Sequence, residues 1–334
     1  MGSKLAMTLN KLLYILFVRT TNFHKIFDMV KTEKLTTTDT IHYATCPLCS
    51  AKDIALTLAT EDYSISKEDF EIYACGNCNF HFTQNAPAPM AIAPYYKSDV
   101  YISHSDTKEG VVNRLYHTAR VLMLKKKQKL IQQLTKGKRL LDIGSGTGYF
   151  LNHMQQNGFD VTGVEIDEDA RAATLKNFNI KVNPPPALLE GQLSEKVDVI
   201  TLWHVLEHLH DMNGYMQSMY QQLADDGVVL IAVPNHTSYD AQHYGKHWAA
   251  YDVPRHLWHF SPKTVARLAD NNGFKVVAQK RLPLDPFYNS LLSEQYQSSK
   301  LSLIFGGIIG FISLLVSYVN PSRSTSPIYI LKKK

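Results

Sequence analysis

Three glycines at alternate positions follow a short apolar run in the middle of the chain. They are Gly144, Gly146 and Gly148. Glycine lets the backbone turn tightly and approach a ligand without interference from a Cβ atom, at the point where a strand ends and a helix begins. A second apolar run, residues 161–164, ends in Glu165, whose carboxylate can accept both hydroxyls of a ribose. Together the two runs predict a site for a nucleoside cofactor.

The spacing of the glycines narrows the choice of cofactor. A dinucleotide site favours G-x-G-x-x-G, whereas this loop reads G-x-G-x-G and follows Asp142. At this point the chain resembles the class I S-adenosylmethionine (SAM) dependent methyltransferases, whose first motif has this form and whose second strand ends in an acidic residue. The alternatives are an ordinary α/β sheet with a glycine turn and a nicotinamide enzyme.

Later motifs extend the resemblance over roughly residues 137–334. Val197–Trp203 reads as a fourth strand, the sequence His204-Val-Leu-Glu-His208 follows it, and residues 227–235 read as a fifth strand ending in Val-Pro-Asn. The resemblance implies an α/β fold: a Rossmann-like seven-stranded sheet with helices on both faces, whose last strand is antiparallel and lies beside the sixth. It also implies bound SAM, with these residues at the cofactor: Asp142, Gly144, Ser145, Gly146, Gly148, Glu165 and Trp203.

Strand and helix patterns alternate along this part of the chain, as expected for a parallel sheet covered on both faces. The apolar spacing of Val111–Leu134 predicts a further helix that packs against that sheet. Ser261 and Pro262 are typical of a helix start and Gly273 of a helix end, and residues 327–331 read as the last strand.

Candidate catalytic residues lie where the strands of such a sheet end, because ligands bind beyond the carboxyl ends of parallel strands. His204, Glu207 and His208 follow the fourth strand at offsets that place them on one helical face. They can form a general base or a divalent-metal site, or serve only as a capping network around the cofactor. We take His208, His204 and His256 as the catalytic candidates.

His256 belongs to a long connection, residues 234–260, that also carries Trp248, Tyr251, Asp252, Arg255, Trp258 and His259. Loops of this length are uncommon without a function. Arg255 offers a fork for a phosphate or carboxylate, the histidines can take a proton, and the aromatic rings can exclude water. The sequence 252–259 resembles a signature of a bacterial methyltransferase subgroup that also has an N-terminal cysteine ribbon. Alternatively, Trp258 and one histidine merely lock the loop onto the domain.

All four cysteines occur in two C-x-x-C pairs, Cys46 with Cys49 and Cys75 with Cys78. Two thiolates in one turn can bind a metal together, and two such turns complete a tetrahedron. Neither pair stands in a βαβ pattern, which argues against a thioredoxin-like redox site. We therefore expect a structural zinc ribbon, with paired disulfides as the alternative. Four thiolate ligands leave no open coordination position, so no catalysis is assigned to this metal.

The chain divides into four parts by its patterns. We expect an N-terminal segment over residues 1–40, the zinc ribbon over 41–88, a connector with a packing helix over 89–136, and the SAM methyltransferase domain over 137–334, with an apolar insertion at about 286–325. The chain has 334 residues, of which 45% are hydrophobic and 19% charged, so it is expected to be globular.

The net charge is +5, and basic residues concentrate at 125–129, 136–139 and 332–334. Such stretches suit nucleic acid or an anionic membrane, but a solvated helix face is the commoner explanation, and we do not expect a nucleic-acid partner. No cleavable signal peptide is evident, although residues 9–18, apolar except for Asn10 and Lys11, are long enough to lie on a bilayer. We expect a cytoplasmic protein that is peripheral on the inner face of the membrane.

Residues 301–319 carry no charge and are long enough to span a bilayer. A single crossing, however, would separate the last strand from its sheet. The alternatives are a re-entrant hairpin broken at Gly306, Gly307 and Gly310, a buried core helix and a dimer surface. Because the insertion leaves the sheet at the predicted active-site end, we expect it to contact the membrane or to act as a lid that admits an amphipathic acceptor.

These patterns predict a SAM-dependent methyltransferase that acts on an oxygen or carbon nucleophile of a small or lipid-linked acceptor. The alternatives are an RNA methyltransferase that uses the ribbon and the basic residues 125–139, a sugar-nucleotide C-methyltransferase, and a scaffold without activity. The apolar insertion near the site argues against RNA. The sugar enzymes are usually longer, and the intact glycines argue against a degenerate scaffold.

Overall fold

The computed structural model describes residues 39–96, 111–193 and 195–334. Expectations for residues 1–38, including the apolar stretch 9–18, and for residues 97–110 of the connector lie outside these ranges.

The cysteine-containing part forms two small antiparallel sheets. Its strands are β1 (Thr40–Ile41), β2 (Ile54–Glu61), β3 (Asp69–Cys75), β4 (His81–Gln84) and β5 (Ala86–Pro87). β2, β3 and β4 pair in sequence, and β1 pairs with β5. The two cysteine turns share one backbone pattern, since Ser50 N–H donates to the Cys46 carbonyl and Asn79 N–H to the Cys75 carbonyl, both at 2.8 Å.

A seven-stranded sheet forms the centre of the fold. The strands of the second part of the chain are β6 (Arg139–Ile143), β7 (Asp160–Val164), β8 (Val182–Asn183), β9 (Val197–Trp203), β10 (Leu223–Ala232), β11 (Trp258–His259), β12 (Phe274–Arg281) and β13 (Pro327–Lys333). The order is β12-β13-β10-β9-β6-β7-β8, with β13 antiparallel to both neighbours and parallel pairing from β10 to β8. This order confirms the predicted seven-stranded α/β fold and the position of its last strand.

Helices cover both faces of this sheet, as predicted. They are α1 (Val111–Leu134), α2 (Tyr149–Gln156), α3 (Glu168–Phe178), α4 (Pro186–Leu189), α5 (Met212–Gln222), α6 (Tyr239–Tyr244), α7 (Pro262–Asn271), α8 (Asp285–Tyr296) and α9 (Ser302–Val319). α7 begins with a capping box: Ser261 Oγ accepts the Thr264 N–H, and Ser261 N–H donates to Thr264 Oγ1.

Alternate residues of the central strands point to opposite faces of the sheet and belong to two apolar clusters. Leu141, Ile200 and Ile231 belong to the cluster that also contains residues of α5 and α7. Leu140, Val199 and Leu230 belong to the cluster that also contains residues of α1 and α2. Both faces are therefore covered, which explains why these strands read as continuous apolar runs.

The cysteine ribbon shares the core of the larger domain. Cys46, Cys75 and Phe80 lie in the same buried cluster as Trp258 and Phe260. β11 pairs antiparallel with β4 and so extends the ribbon sheet to four strands. The long connection 234–260, predicted only as a loop over the site, thus contains α6 and a strand of the ribbon sheet.

The apolar insertion forms two packed helices, α8 and α9. A Cβ on Gly306 would lie 2.7 Å from Cα of Leu291, and one on Gly310 would lie 2.7 Å from Cα of Phe287, so these glycines allow a close approach of α9 to α8. α9 is continuous through all three glycines of the segment, and the re-entrant hairpin is therefore wrong. Within the described ranges, α9 is the one helix long and apolar enough to cross a membrane, and 28% of it is buried.

Candidate active site

The glycine loop joins β6 to α2 and adopts a backbone conformation that requires glycine. Gly144 has a φ of +72° and Gly148 a φ of +78°. A Cβ on Gly144 would lie 2.4 Å from Cγ2 of Val205, and one on Gly148 would lie 2.3 Å from Cγ2 of Thr174. The loop therefore packs closely between the segment after β9 and helix α3, and it exposes backbone rather than side chains to a ligand.

Glu165 follows β7 and is buried against the glycine loop. Its Oε2 accepts the Gly146 N–H at 2.7 Å, and its Oε1 accepts the Asp167 N–H at 3.0 Å. Burial raises the pKa of Glu165 to about 7, although the two backbone donors oppose the shift. Each carboxylate oxygen can accept a second hydrogen bond, so Glu165 keeps the acceptor capacity that ribose hydroxyls require.

Asp142 is the last residue but one of β6 and lies within a buried polar cluster. Its Oδ1 accepts a hydrogen bond from Thr201 Oγ1 at 2.6 Å. Lys127 of α1 lies over the ring of Trp203, with Nζ 4.0 Å from the ring centroid, and its charge attracts that of Asp142. Burial raises the pKa of Asp142 and lowers that of Lys127, and the attraction between them opposes both shifts. The sequence predicts Lys127 only as part of a basic stretch, whereas the structure places it beside two of the predicted cofactor residues, Asp142 and Trp203.

Two polar atoms of the predicted cofactor residues are buried without a hydrogen-bond partner among the described residues. They are Ser145 Oγ and Trp203 Nε1. A buried donor that stays unpaired destabilises a fold by about 1–3 kcal/mol, so such atoms favour a bound ligand. Together with the open glycine backbone and the acceptors of Glu165 and Asp142, they fit a nucleoside that also carries a cationic group, as SAM does.

His204 follows β9 in a left-handed conformation, with a φ of +57°. Its ring lies between two buried carboxylates: Nε2 is 3.0 Å from Asp285 Oδ2, and Nδ1 is 3.4 Å from Glu207 Oε1. Burial alone would lower the pKa of His204, but the two carboxylates outweigh it and raise this pKa to about 9. His204 is therefore a cation at neutral pH, suited to stabilising negative charge rather than to accepting a proton.

His208 and His256 lie together, with ring centroids 4.6 Å apart. Nδ1 of His208 is 3.0 Å from the Arg255 carbonyl oxygen, and Nδ1 of His256 is 2.8 Å from the Ala250 carbonyl oxygen. Since a carbonyl can only accept, Nδ1–H is the donor in both contacts, and a neutral ring then presents Nε2 as an acceptor. Burial, with a smaller contribution from the charge of His256, lowers the pKa of His208 to about 4, so His208 is neutral at pH 7.

Glu207, His208 and His256 form a group that can hold a metal ion. Their ligand atoms all lie within 4.8 Å of one another. A histidine that donates its Nδ1–H to a backbone carbonyl is oriented to ligate through Nε2, which is the arrangement of both histidines here. The observed group differs from the predicted cluster of His204, Glu207 and His208. His204 faces Asp285 instead, and His256 takes its place in the group.

The ribbon fixes the position of His256. Thr83 of β4 donates from Oγ1 to the His256 carbonyl and from its N–H to the Leu257 carbonyl, at 2.8 and 2.9 Å. The Leu257 N–H donates to the Glu207 carbonyl at 2.8 Å. Tyr96 also reaches the site, because its hydroxyl oxygen is 3.0 Å from Nδ1 of His208. Residues from the first part of the chain therefore support the histidine pair.

The expectation that Arg255 offers its fork to a ligand is wrong. Its guanidinium is buried and donates to both oxygens of Asp62, to both oxygens of Asp252 and to the Tyr95 carbonyl. These bonds join the ribbon to the loop. Trp258 donates from Nε1 to the Leu209 carbonyl at 2.7 Å, so its ring locks the loop onto the domain as the alternative reading expects.

The four cysteines lie together and are free. Sγ of Cys46 is 3.5 Å from Sγ of Cys78, and Sγ of Cys49 is 3.6 Å from Sγ of Cys75. A disulfide requires about 2.05 Å. Two thiolates on one tetrahedral zinc, each at about 2.3 Å from the metal, are about 3.8 Å apart. The cluster is therefore consistent with a zinc ribbon, and the disulfide alternative is wrong.

Comparison with known proteins identifies a methyltransferase domain within the chain. A family model described as a methyltransferase domain matches residues 115–279. The ubiquinone biosynthesis O-methyltransferase of Psychrobacter cryohalolentis is 31% identical over 120 residues, which cover 32% of this chain and 45% of that protein. The enzyme of the same name from Rickettsia bellii is 23% identical over 195 residues, which cover 54% of this chain and 81% of that protein. The chain thus spans less than half the length of the Psychrobacter relative.

Among solved structures, a SAM-dependent methyltransferase from Archaeoglobus fulgidus is 21% identical and has a TM-score of 0.44, covering 64% of this chain and 94% of that one. The 1,6-didemethyltoxoflavin-N1-methyltransferase of Burkholderia thailandensis is 16% identical and has a TM-score of 0.45. The match covers 78% of this chain and 97% of that one.

The seven-stranded fold, the glycine loop and the acid after β7 define the class of protein, a SAM-dependent methyltransferase with a four-cysteine cluster before its main domain. The match over residues 115–279 shows that this part of the chain is a methyltransferase domain. The predicted resemblance is thereby confirmed.

Sequence reasoning misses three residues of the site. Asp285, Lys127 and Tyr96 reach it from α8, from α1 and from the connector. Asp285-Pro286 is a recognisable helix start, but the sequence gives no sign that this helix lies beside His204.

Proposed function

We propose that this protein transfers the methyl group of SAM to an oxygen or carbon nucleophile on a small or lipid-linked acceptor. The observation that supports the proposal most strongly is the buried histidine and carboxylate cluster, which follows the strand next to the glycine loop. The names of the relatives from Psychrobacter and Rickettsia, both ubiquinone biosynthesis O-methyltransferases, favour an oxygen nucleophile on a small acceptor.

SAM, when bound, supplies a methyl group on a sulfonium that is open to in-line displacement. The glycine loop and Glu165 hold and orient it, which lowers the entropic part of the barrier. His204, a cation between Asp285 and Glu207, stabilises negative charge on the acceptor. His208, which is neutral and presents Nε2, takes the proton of the acceptor, and His256 lies beside it. If a divalent ion were held at Glu207, His208 and His256 instead, Nε2 of His208 would be a ligand rather than the base, and the ion would lower the pKa of an acceptor hydroxyl.

The test uses purified protein, labelled SAM and a cell extract that is then separated into lipid, RNA, protein and soluble pools. We expect label in the lipid or the soluble small-molecule pool. His208→Gln should reduce its incorporation about a hundredfold or more, because proton transfer contributes about that much. His243→Gln, at an exposed position, is the matched control and should keep wild-type activity.

Label in RNA alone would overturn the acceptor class, and no label in any pool would overturn methyl transfer itself. Two contacts disfavour RNA on the basic residues 125–139. Lys127 lies over the ring of Trp203, and Arg139 pairs with Asp198 at 2.7 Å. A labelled sugar nucleotide in the soluble pool would select the C-methyltransferase alternative.

We also propose that the four-cysteine cluster binds structural zinc, because its sulfur atoms already lie at about the spacing that one zinc ion imposes. The cellular location that we propose is cytoplasmic, at the inner face of the membrane.

A further inference from the structure

One face of α9 is apolar and exposed. Its exposed side chains recur every three or four residues and so form one stripe along the helix. They are Ile304, Phe305, Ile308, Phe311, Leu315 and Tyr318. The opposite face consists of small buried residues, namely Ser302, Gly306, Gly310, Ser313 and Ser317. This arrangement inverts that of a surface helix in a soluble domain, which turns its large apolar side chains inward.

The buried face fixes the orientation of α9. Gly306 and Gly310 lie against the backbone of α8, where a Cβ would come within 2.7 Å of a Cα atom. Ser313 donates from Oγ to Oδ1 of the buried Asp240 at 2.9 Å, and Arg281 donates to the Ser317 carbonyl at 2.9 Å. The helix therefore cannot rotate its apolar stripe into the domain without breaking these contacts.

The charges around the stripe are cationic. Between Arg281 and Arg323 the chain has two acidic residues, Asp285 and Glu294, and both are buried. Lys300 is exposed immediately before the helix, and at the other end the Arg281 guanidinium lies 4.0 Å from the centroid of the Tyr318 ring. An aromatic ring and cations at the ends of an apolar surface complement the headgroup region of an anionic bilayer.

We propose that the protein docks on an anionic lipid surface through this stripe, with α9 lying in the interface and Lys300, Arg281 and Arg323 at the headgroups. β12 precedes the insertion and β13 follows it, and the two strands pair along their whole length. The pairing begins with Phe274 opposite Lys333 and ends with Arg281 opposite Pro327. Because a crossing would have to break that pairing, α9 lies on the bilayer rather than across it. Docking is independent of the proposed methyl transfer.

The experiment is flotation of the purified full chain with vesicles of phosphatidylcholine alone or mixed with phosphatidylglycerol. We expect binding to the mixed vesicles, weaker binding to phosphatidylcholine, and release by an alkaline carbonate wash. The variant Phe305→Asp/Phe311→Asp should reduce partitioning by about tenfold or more, because it places two charges in the docked face. Leu56→Asp/Leu175→Asp, at equally exposed apolar positions away from α9, should bind like the wild type.

Four results would overturn the proposal. The first is that the folded wild type does not bind the mixed vesicles. The second is that both double variants lose vesicle binding equally. The third is that the protein stays with the vesicles after the carbonate wash, which would indicate a membrane span. The fourth is a wild-type dimer in light scattering that becomes a monomer in Phe305→Asp/Phe311→Asp without vesicle binding. That result would assign the stripe to a second copy of the chain. None of these measurements uses methyl transfer, so failure here is distinct from failure of the proposed activity.

Discussion

Glu165 accepts two backbone hydrogen bonds, one from Gly146 and one from Asp167. The same carboxylate therefore shapes the glycine loop and remains available as an acceptor. This double use explains why an acid in this position is recognisable from the sequence, because both roles require a carboxylate at the end of β7. It also means that its removal affects the loop and the ligand together.

Glu165→Gln should weaken binding of S-adenosylhomocysteine by about tenfold to a hundredfold. The amide NH₂ would face one of the two backbone donors, and an unsatisfied buried donor costs about 1–3 kcal/mol. Titration calorimetry measures the change. Glu168→Gln, an exposed carboxylate in the first turn of α3, is the matched control and should bind like the wild type. Unchanged affinity in Glu165→Gln would remove Glu165 from the cofactor site.

At the scale of elements, Arg255 joins the ribbon to the loop that carries His256. Arg255→Met would leave Asp62 and Asp252 without their shared cation, and breaking a buried pair in this way costs about 3–5 kcal/mol. Urea unfolding should show that loss. The control is Arg139→Met, which breaks the more exposed pair with Asp198 and should cost much less, because water screens that pair. Similar losses in the two variants would contradict the structural role of Arg255.

The elements that the sequence predicts well are those set by local pattern. Val111–Leu134 and Val197–Trp203 have the predicted bounds, because their apolar periodicity and length are local properties. β11 is two residues long and exists only because β4 lies beside it, so no local signal predicts it. For the same reason the sequence predicts the contact of His204 with Glu207, but not that of His256 with His208 or that of Asp285 with His204. The last two depend on how distant elements pack.

At the scale of the whole molecule, the cysteine cluster belongs to the core that supports the site, because Cys46 and Cys75 are buried in one cluster with Trp258 and Phe260. We expect one zinc ion per chain in elemental analysis of the purified protein. Cys75→Ser, or a strong chelator, should remove the ion and lower the free energy of unfolding by several kcal/mol, since metal binding and folding are coupled. Full stability and activity in a zinc-free protein would contradict this structural role.

The junction between ribbon and main domain also contains stacked histidines. The rings of His81 and His236 have centroids 4.0 Å apart. Burial lowers the pKa of His81 to about 4, and burial together with the charge of His81 lowers that of His236 to about 3. An unfolded histidine has a pKa of about 6.5. The unfolded chain therefore binds protons at these histidines that the folded chain does not. Their contribution to the free energy of unfolding is complete above about pH 6.5 and is lost progressively as the pH falls toward 4 and 3.

His236→Phe should reduce this pH dependence while keeping a ring against His81. Between pH 7 and pH 5 the titration of His236 lowers the free energy of unfolding of the wild type by about 2 kcal/mol. Over the same range the decrease in the variant should be smaller by about that amount. Urea unfolding at the two pH values measures the difference. Nε2 of His236 is buried and has no partner among the described residues, so phenylalanine leaves no new polar group unpaired there. His243→Phe, at an exposed position, should keep the wild-type dependence of the free energy of unfolding on pH. If His236→Phe also keeps that dependence, the histidines of the junction are not its source.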